Sequence, residues 1–208
     1  MRERLRRKIA ENLKQPKGFF GRLMGRFMNH FNKGIIQFTL EQISDFKIDS
    51  LAEAGIGSGM ALQLCNKRFP KAMMYGIDIS ELMISAAGSR NKKIIKNGSL
   101  KLYHANISEL PLADASVDVF YTINTIYFWN DPDEVFKEVH RVLKKDGHFI
   151  ISFNPKEEMN PSAYPSDLFK FYGADQVGEL ALRNKFKLIS SLNYQDRYEK
   201  YVCLIVKK

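Results

Sequence analysis

The hydrophobic and polar positions along the chain change their period several times, and each change marks the boundary of a predicted element. Short apolar runs, typical of buried strands, cover residues 50–54, 72–78, 99–105, 117–124 and 148–154. Apolar residues at helical spacing predict helices over residues 58–69, 80–96, 131–145 and 174–186. Strands that alternate with helices in this way predict a parallel sheet with right-handed crossover connections.

The last two predicted strands follow a different pattern. Residues 187–194 and 198–208 are separated by only a short turn, which predicts an antiparallel hairpin at the edge of the sheet. The expected fold class is therefore α/β. It is a Rossmann-like, doubly wound, mostly parallel sheet of seven strands with an antiparallel C-terminal edge hairpin.

The first thirty residues form a separate, basic region. Their pattern is helical and is interrupted by Pro16, Gly18 and Gly21. Between Met1 and Arg26, nine lysines or arginines stand against two glutamates, so most of the net charge of +9 lies here. Such an arm attracts phosphates or anionic lipid headgroups, and the alternative is a helix that only faces solvent. We expect residues 1–30 to be a basic helical arm, which either forms a lid or packs as a helix on the sheet, and residues 31–208 to be the main domain.

Composition is that of a soluble globular protein. The chain has 208 residues, of which 45% are hydrophobic and 26% charged, enough for one domain with a sizeable core. Cys65 and Cys203 have no partner spacing, so they predict neither a disulfide framework nor a metal site and indicate a reducing compartment. No window reaches the roughly 18 apolar residues of a membrane span. We expect a cytoplasmic protein without a metal.

Three alternating glycines, Gly55, Gly57 and Gly59, lie between the first strand of the sheet and the helix that follows it. Ligands of open α/β sheets bind outside the carboxyl ends of the strands, and glycines there let the backbone approach a ligand closely. The N–H groups of the following helix favour a negative group. The alternative is a tight turn that binds nothing.

The acid at the end of the second strand narrows the choice of ligand. Asp78 can accept hydrogen bonds from both hydroxyls of a ribose, so the ligand carries a nucleoside. Met60 occupies the place of the third glycine in the nicotinamide fingerprint. Glu53 would repel a pyrophosphate but suits a ligand with an ammonium group and a sulfonium.

These motifs together resemble a known family. "EAGIGSG" followed by "GIDIS" and "HANISELPLADASVDVFYTINTIYFWNDPDEVF" resembles the class I S-adenosylmethionine-dependent methyltransferases, in the branch of the ubiquinone and menaquinone biosynthesis enzymes. The lead-in "QPKGFFGRLMGRFMNHFN" resembles that of a group of small bacterial methyltransferases. The resemblance covers residues 15–153 and implies that residues 31–208 bind S-adenosyl-L-methionine as cofactor.

The resemblance also implies a set of cofactor-binding residues. Asn106 stands where the family usually has an acid for the adenine amino group, but its Oδ1 can still accept from that amine. "KKDGH" replaces the usual proline and two glycines, a departure that we expect to affect the fold rather than the chemistry. The implied residues are Glu53, Gly55, Gly57, Gly59, Asp78, Ile79, Asn106, Ile107 and Asn124.

The acceptor pocket is expected beside the fourth strand, where an aromatic group follows it. The candidate pocket residues are Tyr127, Phe128 and Trp129, together with Phe27 from the arm. The alternative for the three consecutive aromatic residues is ordinary core packing. The sequence offers no strong general base. Tyr127 and His30 are the catalytic candidates, and His104 is another isolated histidine.

The predicted reaction is in-line transfer of a methyl group to an oxygen, carbon or sulfur atom of a small molecule. "NTIY" stands where enzymes that methylate amino groups of nucleobases have an Asn-Pro-Pro-Tyr motif, so that chemistry is not expected. The expected partners are the acceptor and, through the basic arm, a membrane surface, but not a nucleic acid. The alternatives are a nicotinamide-dependent oxidoreductase and a noncatalytic cofactor-binding or RNA-binding protein that uses the arm.

Overall fold

A seven-stranded sheet forms the centre of the protein in the computed structural model, which describes residues 2–18, 21, 31–197 and 199–208. Five strands are parallel, and the hairpin of the last two is antiparallel. This confirms the predicted fold class. The sheet order is β3-β2-β1-β4-β5-β7-β6, with the strands β1 Ser50–Ala54, β2 Met73–Asp78, β3 Leu100–His104, β4 Val117–Ile123, β5 Leu143–Phe153, β6 Lys187–Gln195 and β7 Lys200–Lys207.

Helices cover both faces of the sheet, and the sheet separates the hydrophobic core into two clusters. One cluster contains Leu51, Val119 and Tyr121, and the other contains Ala52 and Phe120, because successive strand residues point to opposite faces. The helices are α1 Arg2–Lys14, α2 Lys33–Ile43, α3 Met60–Arg68, α4 Glu81–Arg90, α5 Lys92–Lys96, α6 Pro132–Val142 and α7 Ala174–Arg183. None of the described helices is long and apolar enough to cross a membrane.

Two predicted boundaries are wrong. The helix predicted over residues 80–96 is interrupted at Asn91, whose Nδ2 donates to the carbonyl oxygens of Gly59 and Ala87. The helix predicted to reach residue 145 ends at Val142, and β5 starts at Leu143 rather than at residue 148. The strand starts early because the buried Leu143 already pairs with β4, and the extra residues form an irregularity in the register.

The described part of the basic arm is packed on the domain. Ala10 is buried in the core, Arg7 forms an ion pair with Asp167 at 2.8 Å, and Gln15 Nε2 donates to the carbonyl of Ile79 at 3.0 Å. Residues 19–20 and 22–30 lie outside the described residues. The predictions for Phe27 and His30 therefore have no structural counterpart here.

Candidate functional site

A cavity of about 370 Å³ lies at the carboxyl ends of β1, β2 and β4, where the sheet topology predicts a ligand. Residues from separate parts of the sequence meet there. All but one of the predicted cofactor-binding residues line this cavity, and the exception among these described residues is Gly59. Those that line it are Glu53, Gly55, Gly57, Asp78, Ile79, Asn106, Ile107 and Asn124.

The glycine turn connects β1 to α3, and its members serve different purposes. Gly57 and Gly59 have φ angles of 50° and 75°, which side chains disfavour. A Cβ atom on Gly57 would meet nothing within 4 Å, so this backbone borders open space. A Cβ atom on Gly59 would meet Ala87 Cβ at 2.9 Å, so Gly59 permits close packing of α3 against α4. Of these two glycines, Gly57 is the one beside which a ligand has room.

Asp78 joins the glycine turn to the end of β2. Its Oδ2 accepts from the backbone N–H of Gly57 at 3.0 Å, and its Oδ1 accepts from the N–H of Ser80 at 2.8 Å. Burial raises the pKa of Asp78 to about 6, although these two N–H groups act in the opposite direction. Each carboxylate oxygen can accept a further hydrogen bond. The side chain is thus fixed and still able to receive two donors.

Glu53 is the second buried carboxyl group of the cavity. It lies within β1 and is only 3% exposed. Burial raises its pKa to about 8, the negative charge of Asp78 adds to this, and a hydrogen bond from Tyr121 opposes it. A cation placed beside Glu53 would favour its ionised form.

The loop after β3 contributes a third side of the cavity. Asn106 Oδ1 accepts from the N–H of Ser108 at 3.2 Å, and Ile107 packs against the core. Ile79 is 41% exposed, and its carbonyl oxygen lies 3.0 Å from Nε2 of His104. These residues bring an amide and two apolar side chains to one end of the cavity.

Asn124, directly after β4, has a left-handed backbone with a φ angle of 55°, which is uncommon outside glycine. Its Oδ1 accepts from the hydroxyl of Tyr127 at 3.1 Å, and its Nδ2 donates to Asn32 at 3.1 Å. Its own N–H donates to Ser152. Contacts on three sides therefore maintain this backbone at the wall of the cavity.

The aromatic residues after β4 separate into two groups. Phe128 and Trp129 line the cavity, and the indole N–H of Trp129 donates to Thr125. Tyr127 is not part of the described lining of the cavity. Its hydroxyl forms hydrogen bonds with Asn124 and Asn154 instead. Burial raises the pKa of this hydroxyl well above its ordinary value. A role for Tyr127 in the pocket or in catalysis stays a prediction.

Several lining residues have no counterpart in the sequence-based predictions. Lys14 and Pro16 come from the arm, and the serine hydroxyl of Ser80 donates to the carbonyl of Pro16 at 2.7 Å. Asp131 and Glu134 come from the start of α6. The arm and α6 are far apart in the sequence, so no local pattern could place them at one cavity.

The chemistry of this lining fits the cofactor that the sequence motifs imply. The open space above Gly57 accommodates close approach of a ligand, and Asp78 can accept from a ribose diol. The two buried carboxyl groups, both with raised pKa values, suit a ligand with positive charges. A pyrophosphate beside the glycine turn would instead meet the carboxyl group of Glu53.

The family described as "Methyltransferase domain" matches residues 52–151. The uncharacterized methyltransferase YdaC of Bacillus subtilis is 30% identical over 135 residues, which cover 65% of this chain and 72% of that protein. A malonyl-[acyl-carrier protein] O-methyltransferase of Laribacter hongkongensis is 32% identical over 102 residues, 46% of this chain and 34% of that protein.

Solved structures show the same fold. The crystal structure of a SAM-dependent methyltransferase from Aquifex aeolicus superposes with a TM-score of 0.68 and 19% identity, covering 81% of this chain and 88% of that one. The family match and the fold thus agree on the part of the chain that surrounds the cavity.

Proposed function

This chain belongs to the class I S-adenosylmethionine-dependent methyltransferases, and from that premise we propose that it methylates an oxygen, carbon or sulfur atom of a small molecule. The cofactor is S-adenosyl-L-methionine. The observation that carries the proposal is the cavity in which Glu53, Gly57 and Asp78 meet. The comparisons give no support to the oxidoreductase or RNA-binding alternatives.

Separate residues would hold the parts of the cofactor. Asp78 would accept hydrogen bonds from the ribose hydroxyls, and Asn106 would bond to the adenine amino group between Ile79 and Ile107. Glu53, with the backbone near Gly57, would hold the amino-acid end. When bound, the cofactor supplies a methyl group on a sulfonium, whose departure leaves a neutral thioether and needs no acid.

The protein would contribute mainly by aligning the reactants and excluding water. Such alignment is worth up to about 7–11 kcal/mol in well-oriented reactions. Phe128 and Trp129 would form the wall next to the acceptor, and the arm would cover it. Similarity to an O-methyltransferase supports oxygen as the acceptor atom.

The arm, residues 1–30, is proposed as the lid. Two contacts of its described part support this role: Gln15 Nε2 donates to Ile79 at the end of β2, and Lys14 Nζ donates to Asn130 after β4 at 3.4 Å. Residues 14 and 15 thus contact both sides of the cavity. Two further predictions remain: that the basic arm contacts a membrane and that the protein is cytoplasmic. Flotation with anionic vesicles, using protein with and without residues 1–14, tests the membrane contact.

Calorimetric titration tests the proposed function. We expect S-adenosylhomocysteine to bind one site and NADH to show no binding. Asp118→Ala is a suitable control, because Asp118 bonds to backbone groups at the opposite ends of the strands. A folded protein that binds NADH, or that does not bind S-adenosylhomocysteine, would refute the proposal. Transfer of labelled methyl to fractionated small molecules then identifies the acceptor.

A further inference from the structure

Glu53 has a neighbour in the sheet that its sequence position does not reveal. Glu53 on β1 is directly opposite Tyr121 on β4 in the parallel register, and both side chains lie on the same face. The hydroxyl of Tyr121 donates to Oε2 of Glu53 at 2.8 Å. The opposite neighbour of Glu53, on β2, is Gly76, which has no side chain to offer. Tyr121 is therefore the partner that the sheet provides.

A third buried group extends this contact. Sγ of Cys65, on α3, lies 3.4 Å from the hydroxyl oxygen of Tyr121. When Glu53 is ionised, the single hydrogen of the Tyr121 hydroxyl is donated to it, so the Cys65 thiol is the donor to Tyr121. Burial raises the pKa of Cys65 to about 12, which keeps that hydrogen on the sulfur. The result is a directed chain of hydrogen bonds that ends on the carboxyl group at the cavity.

We propose that Tyr121 is a positioning residue for the cofactor, whose hydroxyl occupies one oxygen of Glu53 and holds the carboxylate toward the ammonium group of the methionine moiety. This inference rests on the proposed function. Tyr121 is fully buried and is not part of the described lining of the cavity, so it acts only through Glu53. Hydrogen bonds to a charged group are stronger than those between neutral groups, which makes this contact effective.

Tyr121→Phe removes the hydroxyl and keeps the ring. We expect the dissociation constant of S-adenosylhomocysteine at pH 7 to rise about tenfold, the loss of one hydrogen bond to a charged group. The matched probe is 5′-methylthioadenosine, which has the adenosyl thioether but no amino-acid end. Its dissociation constant should change less than about twofold. A purely structural role for Tyr121 would weaken both ligands alike.

The pH profile gives a second readout. The ionisable groups that act on Glu53 are Tyr121 on β4 and Asp78 at the end of β2, with Cys65 behind the tyrosine. Because the Tyr121 hydrogen bond lowers the pKa of Glu53, its removal raises that pKa further. The ratio of variant to wild-type dissociation constants should therefore be larger at pH 7 than at pH 9.

Two substitutions of Cys65 test the same chain of hydrogen bonds if Tyr121→Phe fails to fold. Cys65→Ala should weaken S-adenosylhomocysteine, but not 5′-methylthioadenosine, by a smaller factor of about two, and Cys65→Ser should restore binding. In a Glu53→Gln background, Tyr121→Phe should have no additional effect. A wild-type protein that binds neither ligand refutes the proposed function. A wild-type protein that binds both, with variants that weaken both equally or neither, overturns only the role of Tyr121.

Discussion

The two walls of the cavity are built differently. The strand-end wall consists of Glu53, Gly57 and Asp78 and is fixed by buried hydrogen bonds between strands and turn. The arm wall consists of Leu13, Lys14 and Pro16. Its side-chain hydrogen bonds from Lys14 and Gln15 are exposed, and one buried bond joins Ser80 to the carbonyl of Pro16. Buried hydrogen bonds are costly to break, whereas exposed ones exchange with water at little cost. The first wall is thus suited to recognising a constant ligand, and the second to opening and closing.

The largest expected effect comes from the strand-end wall. Asp78→Ala removes both the proposed acceptors for the ribose hydroxyls and the bond that fixes Gly57, so we expect S-adenosylhomocysteine affinity to fall about 100-fold or more. Calorimetry measures this, with Asp118→Ala as the control that changes stability rather than affinity. Unchanged affinity in a folded Asp78→Ala protein would remove the distinction between the walls.

The second prediction concerns pH and the free protein. The folded pKa of Glu53, about 8, lies above the value of an exposed glutamate, so its contribution to stability is complete below pH 4.5 and is lost as the pH rises through 8. Glu53→Gln removes this loss. At pH 8.5 it should raise the free energy of unfolding by at least about 1 kcal/mol, or Tm by about 2–4 °C.

Cofactor affinity should respond in the opposite direction. A cation binds the ionised form of Glu53, so wild-type affinity should rise from pH 6.5 to 8 by up to about tenfold per unit. Glu53→Gln should flatten this rise and lower affinity at pH 8. Thermal unfolding and calorimetry of the same two proteins check both results. A variant that binds more tightly and is less stable would contradict the assignment of Glu53.

A smaller effect is expected from the arm. Deletion of residues 1–14 removes Lys14 and the buried Ala10 but none of the strand-end wall. We expect the dissociation rate of S-adenosylhomocysteine to increase about three- to tenfold, with the association rate little changed. Stopped-flow fluorescence measures both rates. A change of the same size in the association and dissociation rates would argue against a lid.

The smallest effect should come from a single exposed contact of the arm. Arg7→Ala breaks the ion pair with Asp167, whose two side chains are 53% and 55% exposed. Solvent and salt screen such pairs, so affinity should change less than about twofold. Titrations at low and high salt check this. A large loss that disappears at high salt would show that the arm wall depends on charge.

Much of this protein could be predicted from its sequence because the signals are local. The strand over residues 50–54 and the glycine turn that follows it are found where the apolar run and the glycines predict them. Asp78 ends the second strand, and the C-terminal hairpin is antiparallel, as predicted. The start of β5 was predicted wrongly, because Leu143 begins to pair with β4 while the sequence still favours a helix.

The family, the alternation of strands and helices, and the motifs proposed to bind the cofactor could be predicted from the amino-acid pattern, since each signal lies in a short stretch of the chain. Tertiary structure alone decided that Tyr121 lies opposite Glu53, that Lys14 reaches the cavity and that Tyr127 bonds away from it. The physical reason is that strand register and helix docking are set by packing across the whole core. A sequence pattern records which face a residue prefers, but not which residue it meets there.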